Sequence, residues 1–140
     1  MIKRKKSWPA NALAIAQGFN ALSALAGGFG LMADPSGENL QMHTYWLKGT
    51  PFSDFLIPGI ILFVVNGLGN TAGFALTVQK IRFAPGIGII FGAAMVIWII
   101  TQVVMIGYMS FLQPLYFTTG GLQLIFGWMW HNRLRQLKTE

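Results

Sequence analysis

The stretch Ile106-Gly107-Tyr108-Met109-Ser110-Phe111-Leu112-Gln113-Pro114 interrupts fifty residues, 83–132, that hold no Asp, Glu, Lys or Arg. As one helix those fifty residues would be about 75 Å long. A bilayer's hydrocarbon core is only about 30 Å thick. The chain must therefore fold back, and these nine residues are where it can. A glycine, a serine, a glutamine and a proline lie between two strongly apolar segments. Proline fits the first turn of a new helix, where its missing N–H costs nothing. Tyr108, Phe111 and Tyr116 suit the headgroup level.

Two further uncharged runs lie upstream, 7–33 and 55–79, each the length of one crossing. The sequence predicts an all-α, four-helix transmembrane bundle forming one domain over residues 1–140. Its helices are expected at about 9–32, 54–78, 86–107 and 114–132, with an outer loop at 33–53. Pro9 and Pro85 open the first and third helices, and Ser53 or Asp54 can cap the second. Composition agrees. Of 140 residues 54% are hydrophobic and 10% charged, with no cysteine, and the mean hydropathy is +0.53. A soluble domain carries about 25% charged residues. These values exclude a disordered tail, a disulfide scaffold and a cysteine-based metal site.

The basic residues set the expected orientation. Lys3, Arg4, Lys5 and Lys6 precede the first helix, Lys80 and Arg82 fill the second loop, and Arg133, Arg135 and Lys138 follow the fourth. Only Lys48 falls on the other side, in a loop with Asp34, Glu38 and Asp54. The positive-inside rule places both termini in the cytoplasm. The same tally is no nucleic-acid footprint, because the basic residues do not cluster on a soluble face. Lys-Arg-Lys-Lys, an apolar run and Ala24-Leu25-Ala26 resemble a signal peptide. Asn11, Gln17 and Asn20 interrupt that run, however, and it continues to Met32, so an uncleaved first helix is expected.

Helical spacing sorts the faces. Gly59, Phe63, Asn66, Asn70, Gly73 and Thr77 form one stripe of the second helix, opposite Ile57, Ile61, Val64 and Leu68. The first stripe should face other helices, since small residues allow close approach and amides need partners. Gln17, Asn20, Ala24, Gly27 and Gly28 are its counterparts in the first helix. Gly88, Gly92, Met95, Trp98 and Gln102 serve in the third, and Tyr116, Thr119, Gln123 and Gly127 in the fourth. Gly69, Gly73, Gly88 and Gly92 form two small-xxx-small packing motifs, suited to the bundle or to a homo-oligomer. Asn20, Asn66 and Gln123 fall near the membrane midplane, with Asn70 and Gln102 within about two turns. These five amides are the candidate ligand-binding residues, set against the plainer role of interhelical hydrogen bonding.

No ionisable group lies inside a predicted span, which removes the usual machinery of proton-coupled pumps. Small multidrug-resistance exporters share the size and the four-helix plan but depend on a glutamate in the first helix, and this chain has none there. His43 and His131 fall on opposite sides, so no shared haem or metal site is expected. Asp34, Glu38, His43 and Asp54 match no ligand motif, and Asp34-Pro35-Ser36-Gly37 reads as a turn. Residues 38–47 have the pattern of a short interfacial helix. Two G-x-G-x-x-A matches, at Gly28 and Gly67, lie in predicted membrane helices and lack the strand a dinucleotide fingerprint requires.

Lys48-Gly-Thr-Pro-Phe-Ser-Asp-Phe-Leu-Ile-Pro-Gly59, Val65-Asn66-Gly67 and Ile106 to Pro114 resemble small four-span bacterial inner-membrane proteins. That resemblance implies the bacterial cytoplasmic membrane and assigns no functional residue. The expected function is that of a non-enzymatic integral membrane protein, without cofactor or metal. It would bind membrane lipid or another membrane subunit, as a homo-oligomer or within a larger complex, and no nucleic acid. The alternative is a small oligomeric channel or facilitator for a neutral solute.

Overall fold

The computed structural model describes residues 8–108 and 111–139, with side chains as far as residue 136. Lys3, Arg4, Lys5, Lys6, Met109, Ser110 and the Lys138 side chain lie outside the described residues. The described chain is all-α. Four long helices follow one another: α1 (Trp8–Ala33), α2 (Leu56–Val78), α3 (Ala84–Ile106) and α4 (Leu112–Thr139). Among the described residues α1, α2 and α3 are long and apolar enough to cross a membrane. The 28-residue α4 is not apolar enough on average. Gln113, Thr118, Thr119, Gln123 and its basic C-terminal turns dilute it.

The boundaries have local causes. The Leu56 N–H donates to Asp54 Oδ1 at 3.0 Å, so Asp54 sits outside α2 and satisfies one of its free donors. Gly107, at φ 79°, ends α3 in a conformation that favours glycine. α4 begins at Leu112, so Pro114 occupies its first turn, and it runs past residue 132 because Arg133 and Arg135 suit the negative end of a helix.

Two features depart from the sequence reading. Residues 38–47 form two short 3-10 turns, Glu38–Leu40 and Thr44–Leu47, instead of one interfacial helix. The cause is local competition for backbone donors. Asp34 takes the Ser36 hydroxyl at 2.6 Å and the Asn39 N–H at 3.1 Å. Met42 N–H turns back to the Gly37 carbonyl at 2.8 Å, and Gln41 adopts φ 58° between the turns. The second departure is in α2, where Leu62–Leu68 winds as a π-helix. Such wide turns occur often at functional sites. Here one carries Asn66 and Gly67 into the interior.

Each helix packs beside its sequence neighbours, and α4 closes the ring on α1, while α1 and α3 lie on a diagonal. Glycines set the crossings. A methyl group at Gly28 would lie 2.7 Å from the Phe63 nitrogen and 2.8 Å from the Gly59 carbonyl oxygen, so α1 and α2 touch backbone to backbone. Gly69 receives the Phe91 ring, Gly73 the Gln17 amide, Gly88 the Leu13 side chain, and Gly92 the backbone of Gly120 and Leu124. All four predicted packing glycines thus meet neighbours within this chain.

Lys80 Nζ donates to Asn11 Oδ1 at 3.4 Å, and the Arg133 guanidinium lies 5.7 Å from the Trp8 ring centre. Lys80, Arg82, Arg133 and Arg135 therefore gather where α1 begins, at what we call the basic end. Asp34, Glu38, Lys48 and Asp54 occupy the other, the loop end. One apolar cluster (Ala10, Leu13, Ala84, Trp130) closes the basic end and another (Leu31, Leu47, Phe55) the loop end. Between them the largest fully buried side chains are polar: Gln17, Asn20, Asn66, Asn70, Thr77 and Gln123. Ile15, Leu22 and Val104 point outward at 74%, 72% and 79% exposure, an apolar exterior suited to lipid.

Candidate functional site

The polar interior is a directed chain of hydrogen bonds. The Thr119 hydroxyl donates to Asn20 Oδ1 at 2.7 Å. Asn20 Nδ2 donates to Gln123 Oε1 at 2.8 Å. Gln123 Nε2 donates to Asn70 Oδ1 at 2.8 Å and to the Gly88 carbonyl at 2.9 Å. Asn70 Nδ2 ends the series on the Asn66 carbonyl at 2.8 Å. Gln123 of α4 thereby holds α1, α2 and α3 at one level. Asn20, Asn70 and Gln123 are each 0% exposed, so their side chains fill the bundle axis. Each group both donates and accepts, an arrangement in which neighbouring bonds polarise one another.

Three polar side chains of the interior keep unpartnered atoms among the described residues. Both amide atoms of Gln17, Asn66 Oδ1 and Thr77 Oγ1 are buried and make no hydrogen bond. Gln17 lies between two helices. A methyl at Gly73 would meet its Nε2 at 2.7 Å and one at Gly88 at 3.4 Å. Gln17 shares a helix face with Asn20, the signal that marks it in the sequence.

Above this layer, toward the loop end, lies a cavity of about 530 Å³ bounded by α1, α3, α4, Leu62 of α2 and residues 40–46 of the loop. Buried Ala24 and Met95 lie on its wall. Ala24 and Tyr116 are each about one turn from Asn20 and Thr119, so the hydrogen-bonded layer forms the cavity floor. Most of the lining is apolar or aromatic. Ser23, Gln41, Gln102, Gln113 and Tyr116 add polar groups, and among the described residues no Asp, Glu, His, Lys or Arg lines it. Gln113, only 4% exposed, donates through Nε2 to Gln102 Oε1 at 3.2 Å and to the Gly107 carbonyl at 3.3 Å.

The five predicted ligand residues thus divide. Asn20, Asn70 and Gln123 bond one another, and Asn66 joins through its backbone carbonyl. Gln102 alone lines the cavity. Trp46, Trp98 and Gln113 are lining residues outside the predicted set. Trp98 was marked by its helix face, but Trp46 reaches the cavity through the turns of the loop, which carry no periodicity. His43 stacks on Tyr45 with ring centres 5.3 Å apart and meets the cavity-lining Trp46 edge-on at 5.5 Å.

No family model, known relative or solved structure matches the chain in comparisons with each.

Proposed function

We propose that this chain is a small multi-pass protein of the bacterial cytoplasmic membrane, crossing four times with both ends cytoplasmic, that binds a lipid at its loop end and catalyses no reaction. The cavity carries the reading. Its volume lies within the roughly 300–1,000 Å³ typical of small-ligand sites. Its walls are apolar, as an acyl or prenyl chain requires, and its polar groups are few.

The fourth crossing is supported by how α4 distributes its polarity. Gln113, Gln123 and Trp130 are at most 4% exposed, whereas Phe117, Ile125 and Trp128 are 46%, 52% and 60% exposed. Thr118 faces outward but donates its hydroxyl to the Pro114 carbonyl at 2.8 Å. Averaging over the helix hides an outer face that suits lipid. The gathering of Lys80, Arg82, Arg133 and Arg135 at one end supports cytoplasmic termini. The filled axis at Gln123 argues against a solute path through one protomer, and the uncharged cavity lining argues against acid–base catalysis.

Native mass spectrometry of the full chain, extracted in mild detergent, tests the reading. The wild-type protein should carry one lipid-mass adduct. Ser23→Trp, which sends an indole into the cavity from α1, should lose it. Equal adducts in both proteins, or none in the wild type, would overturn the proposal.

A further inference from the structure

We infer that the cavity selects an uncharged lipid whose head bears carbonyl oxygens, in preference to a phosphate-bearing phospholipid; this rests on the lipid-binding reading above and specifies its ligand. The argument begins with which hydrogen-bonding atoms remain unused. Gln113 commits Nε2 to Gln102 Oε1 and to the Gly107 carbonyl. The Gln102 amide is thereby turned so that its oxygen is taken and its Nε2 hydrogens are left to donate. The indole N–H groups of Trp46 and Trp98, both on the lining, form no hydrogen bond among the described residues. Three side chains of the cavity lining thus keep donors that no described residue satisfies.

An occupant that accepts would satisfy these three donors together. Charge decides which acceptor. A phosphate head would bring a negative charge into a lining that holds no cation among the described residues, and a charge without a partner at low dielectric is costly. The loop above adds Asp34, Glu38 and Asp54 against Lys48 alone, a further bias against anions. An ester or ring carbonyl accepts from indole and amide N–H groups without carrying charge, while its apolar chain lies along Leu31, Ile99 and Ile106. Two sources share this chemistry, the ester carbonyls of a diacylglycerol and the ring carbonyls of a prenylated quinone.

The experiment uses the full chain in non-ionic detergent with three probes: dioctanoylglycerol, a short-prenyl benzoquinone, and dioctanoyl phosphatidic acid. Native mass spectrometry reads occupancy, and nitrogen-15 NMR reads the indole N–H signals of Trp46 and Trp98. At least one carbonyl probe should bind about tenfold tighter than phosphatidic acid and move both indole signals downfield. Binding by the glycerolipid alone or the quinone alone supports the inference and names the source. Trp98→Phe keeps an aromatic ring and removes the donor. It should weaken the carbonyl probe by about threefold to tenfold, the range for one lost hydrogen bond, with an unchanged unfolding midpoint. Gln102→Leu gives a second reading should Trp98→Phe fail to fold. Phosphatidic acid binding as tightly as the carbonyl probes would overturn the inference while leaving the lipid-binding reading intact. No binding by any probe, with no lipid on the purified wild type, would overturn both.

Discussion

Gln123 Nε2 donates to Asn70 Oδ1 at 2.8 Å, joining α4 to α2 across the diagonal of the bundle. The same amide accepts from Asn20 and donates to the Gly88 carbonyl, so one side chain registers four helices. In a membrane interior little hydrophobic force holds helices to each other, and packing with interhelical hydrogen bonds takes its place. The layer also explains the uncharged cavity above it. The Asn20, Asn70 and Gln123 amides below it are already spent on hydrogen bonds within the bundle.

Gln123→Met removes three hydrogen bonds at once and strands donor and acceptor atoms on Asn20 and Asn70. Membrane hydrogen bonds average about 0.6 kcal/mol each, so we expect destabilisation on the order of 2 kcal/mol by detergent-denaturant titration. An unfolding midpoint within error of wild type would show that the layer does not hold the bundle.

Gln17→Met should act in the opposite direction. Its amide is 0% exposed and makes no hydrogen bond, and methionine has a similar shape without the polar atoms. Removing an unsatisfied buried amide relieves a penalty of about 1–3 kcal/mol. The same titration should give a midpoint equal to or above wild type. A clear loss of stability would mean that the Gln17 amide has a partner in the membrane.

The glycines separate into those with and without space. Gly28→Val would drive side-chain atoms into the Phe63 nitrogen and the Gly59 carbonyl, and backbone cannot swing aside as a side chain can. We expect no folded protein by size-exclusion chromatography. Gly121 meets nothing within 4 Å of an added methyl and lies inside α4. Gly121→Ala should fold normally and gain about 0.5 kcal/mol from reduced unfolded-state freedom.

How much of this was legible in the sequence follows from what each pattern encodes. In the stripe Gly59, Phe63, Asn66, Asn70, Gly73 and Thr77 all are buried except the half-buried Phe63, and Ile57, Ile61, Val64 and Leu68 are exposed, because helical periodicity reports which face meets neighbours. The π turn at Leu62–Leu68 was not legible, since it depends on the α1–α2 crossing more than on composition. Periodicity also did not separate Gln102, on the cavity, from Asn20, in the layer. Both are amides on inward faces, and only the tertiary arrangement shows which of them has satisfied its hydrogen bonds. The cavity itself depends on Trp46, placed by the αL conformation of Gln41 and the Asp34 turn, features that no hydrophobic pattern records.

Asp34 gives that loop a pH dependence. Its carboxylate accepts from the Ser36 hydroxyl, the strongest influence, and from the Asn39 and Ser36 N–H groups, which together hold its pKa below the usual 3.8. A depressed acid pKa stabilises the folded loop above the ordinary value and loses that contribution as pH falls through the folded one. The Asn39 amide signal should therefore titrate with a midpoint below the ordinary carboxyl value of 3.8. Further acidification should release that amide. Asp34→Asn should show the released position at neutral pH, and a wild-type Asn39 midpoint at or above 3.8 would refute the assignment.

The final prediction concerns α4, whose average composition falls short of a span while its outer face does not. The chain has no cysteine, so single cysteines report their side of the membrane without background. Ser53 and Tyr108 lie at the loop end, and Gln79 and Gln136 at the basic end. In intact cells a membrane-impermeant maleimide should label Ser53→Cys and Tyr108→Cys, and should reach Gln79→Cys and Gln136→Cys only after permeabilisation. Gln136 carries the decision. Because Tyr108 precedes α4 and Gln136 lies near its C-terminal end, opposite labelling of the two requires the intervening helix to cross. Labelling of Gln136→Cys from outside alongside Tyr108→Cys would leave α4 on the surface and remove a wall of the proposed lipid cavity. Labelling of Gln79→Cys from outside, with Ser53→Cys protected, would invert the whole molecule and place the cavity on the cytoplasmic side.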